Sequence, residues 1–196
     1  MEKFSTITSS IAPLARRDVD TDMIIPAQFL TTISNSGFAE ALFRRLRDQE
    51  GDFPLRDERY RSSQILVSQS NFGCGSSREH AVWALRDWGF KVIVAESFAD
   101  IFAGNAAKNG LLLVTIAAPE IEMLLTSAQA VETSISVNLE SQTVTLSDGR
   151  SIPFTYDPFR KHCLLQGLDD LDYILSHKEP IKRFHQIHSE RLFFNL

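Results

Sequence analysis

A glycine- and serine-rich stretch in the first half of the chain carries the strongest chemical signal. Residues 71–80 read Asn-Phe-Gly-Cys-Gly-Ser-Ser-Arg-Glu-His. The stretch follows a predicted strand and precedes a predicted helix at 79–88, so its glycines would bring the backbone close to a ligand that the first helical amides also face. We therefore interpret Gly73, Cys74 and Gly75 as an anion-binding loop, in which the same amides would favour the thiolate of Cys74.

Ser76 has two possible roles. Together with Glu79 it has the spacing of a capping box, in which the serine oxygen accepts from the helix backbone. A cap needs one hydroxyl and no cation, yet Ser77 and Arg78 follow, and these surplus polar groups indicate a ligand. As a base, Ser76 would need loop amides and a guanidinium such as Arg78, because a helix N-terminus contributes at most ~2 kcal/mol, or under about 1.5 pKa units.

Several other motifs are incomplete. A dinucleotide-binding loop would need a third glycine where Arg78 stands, and no serine lies in the Gly-x-Ser-x-Gly pattern of serine hydrolases. Residues 18–22 begin like a calcium loop, but Phe29 occupies the position of its terminal glutamate. His185 and His188 have no acidic or thiol residue spaced around them as a zinc site requires.

The elements that must position residues 71–80 follow from the hydrophobic pattern. From residue 64 onward, strands alternate with helices, which predicts a partly parallel sheet covered by helices. Three later strands, the last two joined by an Asp-Gly turn, should be antiparallel. The predicted strands are near 65–67, 91–95, 111–116, 134–139, 143–146 and 152–156, and the helices are at 79–88, 98–108 and from 119. The N-terminal region from residue 21 to residue 61 is predicted to be long and irregular. In it, 11 of the 18 residues in 44–61 are charged, which is typical of a solvated helix end and loop.

The composition is that of an ordinary globular chain. Its 196 residues are enough for one domain with its own core. A net charge of -5 provides no basis for binding nucleic acid. We expect a cytoplasmic protein with no membrane contact, because no apolar leader is present and the longest apolar segment, 111–118, is far shorter than the ~18 residues that span a bilayer. Cys74 and Cys163 are too few to hold an iron–sulfur cluster, which normally takes about three or four thiolates.

Three long motifs in the same order carry a family resemblance. They are residues 20–26 (Asp-Thr-Asp-Met-Ile-Ile-Pro), residues 71–80, and residues 97–105 (Ser-Phe-Ala-Asp-Ile-Phe-Ala-Gly-Asn). With segments 159–163 and 167–169, they closely resemble the small subunits of 3-isopropylmalate dehydratases, in the aconitase superfamily.

The resemblance implies an α/β fold, a swivelling β/β/α three-layer domain that spans 1–196. It would combine a partly parallel sheet, antiparallel hairpin strands, the charged segment at about 44–61 and a helical C-terminal tail from about 168. Such a domain docks on a large subunit that carries a [4Fe-4S] cluster, so this chain itself would bind no cofactor. The pair would isomerise 2-isopropylmalate and 3-isopropylmalate, small dicarboxylates, by dehydration and rehydration in leucine biosynthesis.

The resemblance also implies roles for single residues. Ser76 would remove the substrate proton, and Ser77 and Arg78 would bind a substrate carboxylate. Asp22, after Thr21, would support the acid–base chemistry beside the cluster.

One loop departs from the family pattern. Family members usually carry lysine or arginine after the Ile-Ile-Pro segment, whereas residues 29–38 contain no basic residue. This loop, including Leu30, Thr31 and Thr32, is expected to contact the substrate side chain. Because carboxylates prefer charge-assisted donors, two alternatives stay open: a related hydro-lyase acting on citraconate or dimethylmalate, or a non-catalytic binding module that kept the fold.

A cation placed in this loop should alter substrate preference. In the assembled enzyme, we expect Thr31→Lys or Thr32→Arg to change the ratios of kcat/KM for isopropylmalate, citraconate and dimethylmalate, because a charge-assisted donor is worth roughly twice a neutral one. Thr31→Gln, long but neutral, is the control. Ratios that stay the same in all variants would contradict a role of this loop in specificity.

Overall fold

A computed structural model describes residues 1–29, 36–130 and 133–193. Within these ranges the chain forms one seven-stranded mixed sheet and eight α-helices. The strands are β1 Ile7–Leu14, β2 Ile65–Ser68, β3 Val92–Ala95, β4 Leu112–Thr115, β5 Ser134–Asn138, β6 Thr143–Leu146 and β7 Ser151–Pro153. The helices are α1 Thr21–Ile24, α2 Arg44–Gln49, α3 Glu79–Trp88, α4 Asp100–Lys108, α5 Ala118–Ala130, α6 Pro158–Gln166, α7 Asp170–Ser176 and α8 Lys178–Phe193.

The sheet order is β4-β3-β2-β1-β5-β6-β7. Strands β1 to β4 are parallel, and β5, β6 and β7 continue the sheet as antiparallel neighbours on the other side of β1. The predicted α/β class, with a partly parallel sheet and antiparallel hairpin strands, is confirmed.

Strand β1, which joins the two parts of the sheet, was not predicted from the sequence. Residues 7–10 pair with β5, and residues 11–14 pair with β2. The amide of Ile11 donates to the carbonyl oxygen of Thr133 (3.1 Å), on the β5 side. Pro13, two residues later, has no N–H to donate on that side, where no strand of the described residues pairs with it. The pairing, rather than an apolar run, makes this segment a strand.

The two faces of the sheet are buried by different elements. Along β2, Ile65 and Val67 contact one hydrophobic cluster and Leu66 the other. The first cluster includes Leu124 of α5, whereas the second is covered by α3, α4 and the segment 38–60. Because strands β2, β3 and β4 are covered on both faces, they are short apolar runs that the sequence reveals.

The C-terminal tail is helical, as predicted. Helix α6 ends at Gly167, whose φ is +72°. Asp169 then begins α7 with a capping box, and α8 follows with mostly exposed side chains. Of the helices in the described ranges, none is both long and apolar enough to cross a membrane.

The core makes a direct stability prediction. Ile93 is fully buried in β3, so Ile93→Ala should lower the free energy of unfolding by about 2–5 kcal/mol through lost burial and a residual cavity. The matched control is Ile187→Ala, because Ile187 is 45% exposed on α8. This change should lower the free energy of unfolding by no more than about 0.5 kcal/mol. Urea denaturation measures both, and equal losses would contradict this assignment of the core.

Candidate active site at the carboxyl ends of the parallel strands

The loops that follow β1, β2 and β3 meet at the carboxyl ends of these parallel strands. These loops are residues 15–20, 69–78 and 96–99. The amide of Gly73 donates to the carbonyl oxygen of Val19 at 2.7 Å, which ties the second loop to the first. Open α/β sheets bind ligands in the crevice at the carboxyl ends of their strands, so this edge is the expected place for a site.

The loop after β3 holds the other side of the loop 69–78. The amide of Phe72 donates to the carbonyl oxygen of Ser97 (3.0 Å), and the amide of Ala99 donates back to Phe72 (3.0 Å). Asn71, in the left-handed region at φ +60°, donates its amide to the Ser97 hydroxyl (2.8 Å) and its side-chain nitrogen to Asp18 (2.6 Å). All three loops are therefore joined by hydrogen bonds.

Gly73 is required for close packing as well as for its backbone conformation. Its φ is +78°, and a Cβ at this position would lie 2.2 Å from Cγ of Phe102. Gly75 also has a positive φ, +86°, but its nearest neighbours leave room for a methyl group. Only the first glycine thus lets the loop lie against the Phe102 ring.

Thr21 positions the segment that follows the glycines. Thr21 is only 2% exposed. Its backbone amide donates to the carbonyl oxygen of Cys74 (3.0 Å), and its hydroxyl donates to the carbonyl oxygen of Ser76 (3.0 Å). Asp20 in turn caps α1 by accepting from the amide of Met23 (2.6 Å). A buried threonine thereby holds the backbone of Ser76 in place.

The predicted functional residues come together around a cavity of about 250 Å³. Ser76 and Ser77 are exposed beside it. Arg78 donates a charged hydrogen bond to the carboxylate of Asp22, and the two side chains are 19% and 43% exposed. Asp22 and Arg78 are 56 residues apart in the sequence. They come into contact because the segments after the neighbouring strands β1 and β2 lie side by side. The cavity is lined by Thr21, Gly73, Gly75, Ser76, Ser77, Arg78, Ala99, Asp100, Ile101 and Phe102.

The capping-box prediction is wrong. Helix α3 does begin at Glu79, but its N-cap is Arg78, with no side-chain cap. Glu79 accepts from the side chain of Asn109 (2.6 Å) instead of turning back to the N-cap. The physical reason is tertiary: the bond from Thr21 to the carbonyl oxygen of Ser76 keeps this residue in the loop, two positions before the cap. The Ser76 hydroxyl is therefore not used to start the helix.

The expectation of a thiolate at Cys74 is also wrong. Burial raises the pKa of the Cys74 thiol, and the negative charges of Asp20 and Asp18 raise it further. The thiol therefore stays protonated at neutral pH. The sequence shows the glycines around Cys74 but not the two carboxylates that the fold places near it.

Two residues of the cavity rim were not singled out from the sequence. Asp100 and Ile101 open α4 and line the cavity, and Ile101 is 57% exposed. Both lie in the segment 97–105 that carries the family resemblance, which is the signal that points to them. The predicted substrate-contacting residues Leu30, Thr31 and Thr32 lie outside the described residues.

The described residues do not form a metal site. No group of three or more His, Cys, Asp or Glu side chains in this part of the chain is placed to hold a metal ion. Cys74 and Cys163 are both free thiols, and each is shielded enough for burial to raise its pKa. Hydroxyl groups and a paired guanidinium are suited to binding a carboxylate and moving a proton, not to holding a cluster.

The fold and this site define the class of protein. Residues 1–119 match the family described as the aconitase C-terminal domain. Residues 123–158 match the family model LeuD_N.

Relatives narrow the class further. The 3-isopropylmalate dehydratase small subunit of Francisella tularensis subsp. novicida is 48% identical over 186 residues, which cover 95% of this chain and 98% of that protein. The small subunit of Jannaschia sp. is 50% identical over 190 residues, with 94% of each chain covered. A crystal structure of 3-isopropylmalate dehydratase (LeuD) from Methanocaldococcus jannaschii has a TM-score of 0.67 at 26% identity and covers 95% of this chain and 99% of its own. The chain belongs to the 3-isopropylmalate dehydratase small-subunit family, as the sequence motifs predicted.

The contact between Gly73 and Phe102 can be tested by adding one methyl group. Gly73→Ala should lower the free energy of unfolding by about 2–4 kcal/mol. The new Cβ would overlap the ring of Phe102, and the alanine would have to adopt a left-handed backbone conformation. Gly104→Ala is the control: this glycine lies inside α4 with nothing within 4 Å of the added Cβ, so the change should be neutral or stabilising by up to about 1 kcal/mol. A Gly73→Ala protein as stable in urea as the parent would contradict the close packing.

Proposed function

We propose that this chain is the small subunit of a cytoplasmic hydro-lyase that isomerises 2-isopropylmalate and 3-isopropylmalate by dehydration and rehydration, and that it is active only with a large subunit. The observation that carries the proposal is the exposed Ser76, whose backbone carbonyl oxygen accepts from Thr21, at the same cavity as the Arg78–Asp22 pair. The names of the relatives support the reaction and the subunit role.

The site needs a second surface. Ser76 and Ser77 are exposed to solvent, and a serine base works only where water is excluded and nearby donors stabilise the oxyanion. We assign that covering surface to the large subunit. The [4Fe-4S] cluster expected there would supply a Lewis-acidic iron for the departing hydroxyl.

Within this chain, Ser76 takes the proton from the substrate carbon and returns it in the reverse direction. Its backbone is held by Thr21 at the rim of the cavity, and its hydroxyl does not cap α3. Arg78 lowers the free energy of a nearby negative charge, because its guanidinium is always protonated.

Ser77 and Arg78 bind a substrate carboxylate. A guanidinium has five N–H donors, and the bond to Asp22 occupies one side of the group. Asp22 therefore orients Arg78 and leaves the remaining donors for the substrate. This arrangement suits one carboxylate of a small dicarboxylate substrate, and it needs no nucleic-acid or membrane partner.

The neutral loop 29–38 favours a second candidate within the same reaction class. A related hydro-lyase that acts on citraconate or dimethylmalate would use the same serine, arginine and aspartate. A non-catalytic binding module would have no use for an exposed serine base, so the same experiment separates it from both enzymes.

Removal of the Ser76 hydroxyl tests the proposal. In the enzyme assembled anaerobically with its large subunit, Ser76→Ala should abolish formation of the unsaturated intermediate. It should change the free energy of unfolding of this chain by less than about 0.5 kcal/mol, because Ser76 is exposed and caps no helix.

Ser77→Ala is the matched control. It should keep turnover and raise KM about tenfold, as expected for the loss of one hydrogen bond to a charged group. Copurification with the large subunit shows that each variant still assembles. Near-normal turnover by Ser76→Ala would exclude Ser76 as the base, and inactivity of the unmodified pair toward isopropylmalate, citraconate and dimethylmalate would favour the binding module.

A further inference from the structure

A second cavity, of about 660 Å³, lies away from the catalytic loops, and we call it the arginine cavity. It is formed by the charged segment 44–61 and the end of α3. Four arginines line it together with the indole of Trp88: Arg44, Arg47, Arg56 and Arg61. Helix α3 begins next to Arg78 and ends at Trp88, so its ten residues separate the two cavities by about 15 Å.

The carboxylates of this cavity are mostly used by ion pairs. Asp48 pairs with Arg44 at 2.8 Å, and Glu58 pairs with Arg61 at 3.2 Å. Asp57 pairs with Arg59, which is not part of the lining, at 2.7 Å.

Two of the four lining arginines have no carboxylate partner among the described residues. Arg47 donates to the backbone carbonyl of Glu40, and Arg56 donates to the carbonyl of Arg47 at 3.1 Å. The carboxylate of Glu40 also lines the cavity and would repel an anion. Set against the charges of Arg47 and Arg56, it leaves a net charge of one positive unit. Burial lowers the pKa of Arg47, which shows that its surroundings do not fully compensate its charge.

Two buried donors of the same cavity have no acceptor. In the described part of the chain, four buried side-chain nitrogen or oxygen atoms lack a hydrogen-bond partner, and the two nitrogens among them are Nε of Arg47 and Nε1 of Trp88. The guanidinium carbon of Arg47 lies 5.1 Å from the centre of the Trp88 ring, so these two side chains are neighbours. Both N–H groups are buried behind the cavity surface, so they show that this wall is short of acceptors rather than contact a ligand directly. An oxyanion in the cavity would meet the Arg47 and Arg56 side chains that line it, and guanidinium groups form charge-assisted hydrogen bonds with several acceptors at once.

We infer that the arginine cavity is a second binding site, for a small polyvalent oxyanion that carries phosphate or carboxylate groups, held by Arg47 and Arg56 beside Trp88. The volume suits a small metabolite. A cation is disfavoured, because the ion pairs already use three of the carboxylates and the remaining groups are mostly donors.

Trp88 offers a local readout of binding. The chain has two tryptophans, so Trp83→Phe leaves Trp88 as the only tryptophan, which can be excited selectively, without changing a residue of the catalytic loops. We expect inorganic phosphate, and separately malonate as a plain dicarboxylate, to change the Trp88 emission in a saturable way in the full chain. The ratio of the two dissociation constants tells which oxyanion the site prefers.

Charge-matched variants make the test specific. Arg47→Gln and Arg56→Gln should each raise the dissociation constant at least tenfold, whereas Arg45→Gln, an exposed arginine outside the lining, should change it less than twofold. Far-ultraviolet circular dichroism confirms that each variant is folded, and Arg56→Gln, at an exposed side chain, keeps the test valid if Arg47→Gln unfolds. No saturable change up to about 50 mM of either anion, or an equal weakening by Arg45→Gln, would overturn the proposal.

Discussion

The contact between Gly73 and the ring of Phe102 is the constraint on which the site depends. A residue with a Cβ does not fit at this point of the loop after β2, because that atom would overlap the side chain of Phe102 in α4. In this position of the loop, the amide of Gly73 donates to the carbonyl oxygen of Val19, and the carbonyl oxygen of Ser76 accepts from the Thr21 hydroxyl. The position of the Ser76 backbone thus follows from loop packing, and the exposed serine side chain contributes little to stability itself.

The mixed sheet explains why residues from distant parts of the chain meet. Strand β1 is central in the order, so its carboxyl end lies beside that of β2, and the segments 18–22 and 71–78 leave the sheet next to each other. The ion pair between Asp22 and Arg78 and the bond from Thr21 to Ser76 both cross between these segments. Strand β1 pairs with β5 in its first half and with β2 in its second half. The second pairing brings the segments 18–22 and 71–78 together into a site that neither segment could form alone.

Helix α3 separates two regions with different charge arrangements. At its start, Arg78 is paired with Asp22 and presents donors to an open cavity whose other wall we assign to a partner. At its end, Arg47 packs against Trp88, and burial lowers the pKa of Arg47 because Glu40 and Asp48 compensate its charge only in part. The segment 44–61 thus does more than cover the core with polar groups: its apolar residues Phe53 and Tyr60 are buried, while its arginines line a cavity.

The sequence by itself determined the features that depend on neighbouring residues. The helical period of 79–88, the apolar runs of β2 to β4, the turn before β7 and the glycine–serine loop were all predicted, and the motifs identified the family. Only the tertiary structure decided the rest, because long-range contacts set it. Pairing turns residues 7–14 into a strand, and Thr21 keeps Ser76 out of the cap. Burial, with the charges of Asp20 and Asp18, raises the pKa of the Cys74 thiol. Packing on α3 leaves the Arg47 and Trp88 donors without acceptors among the described residues.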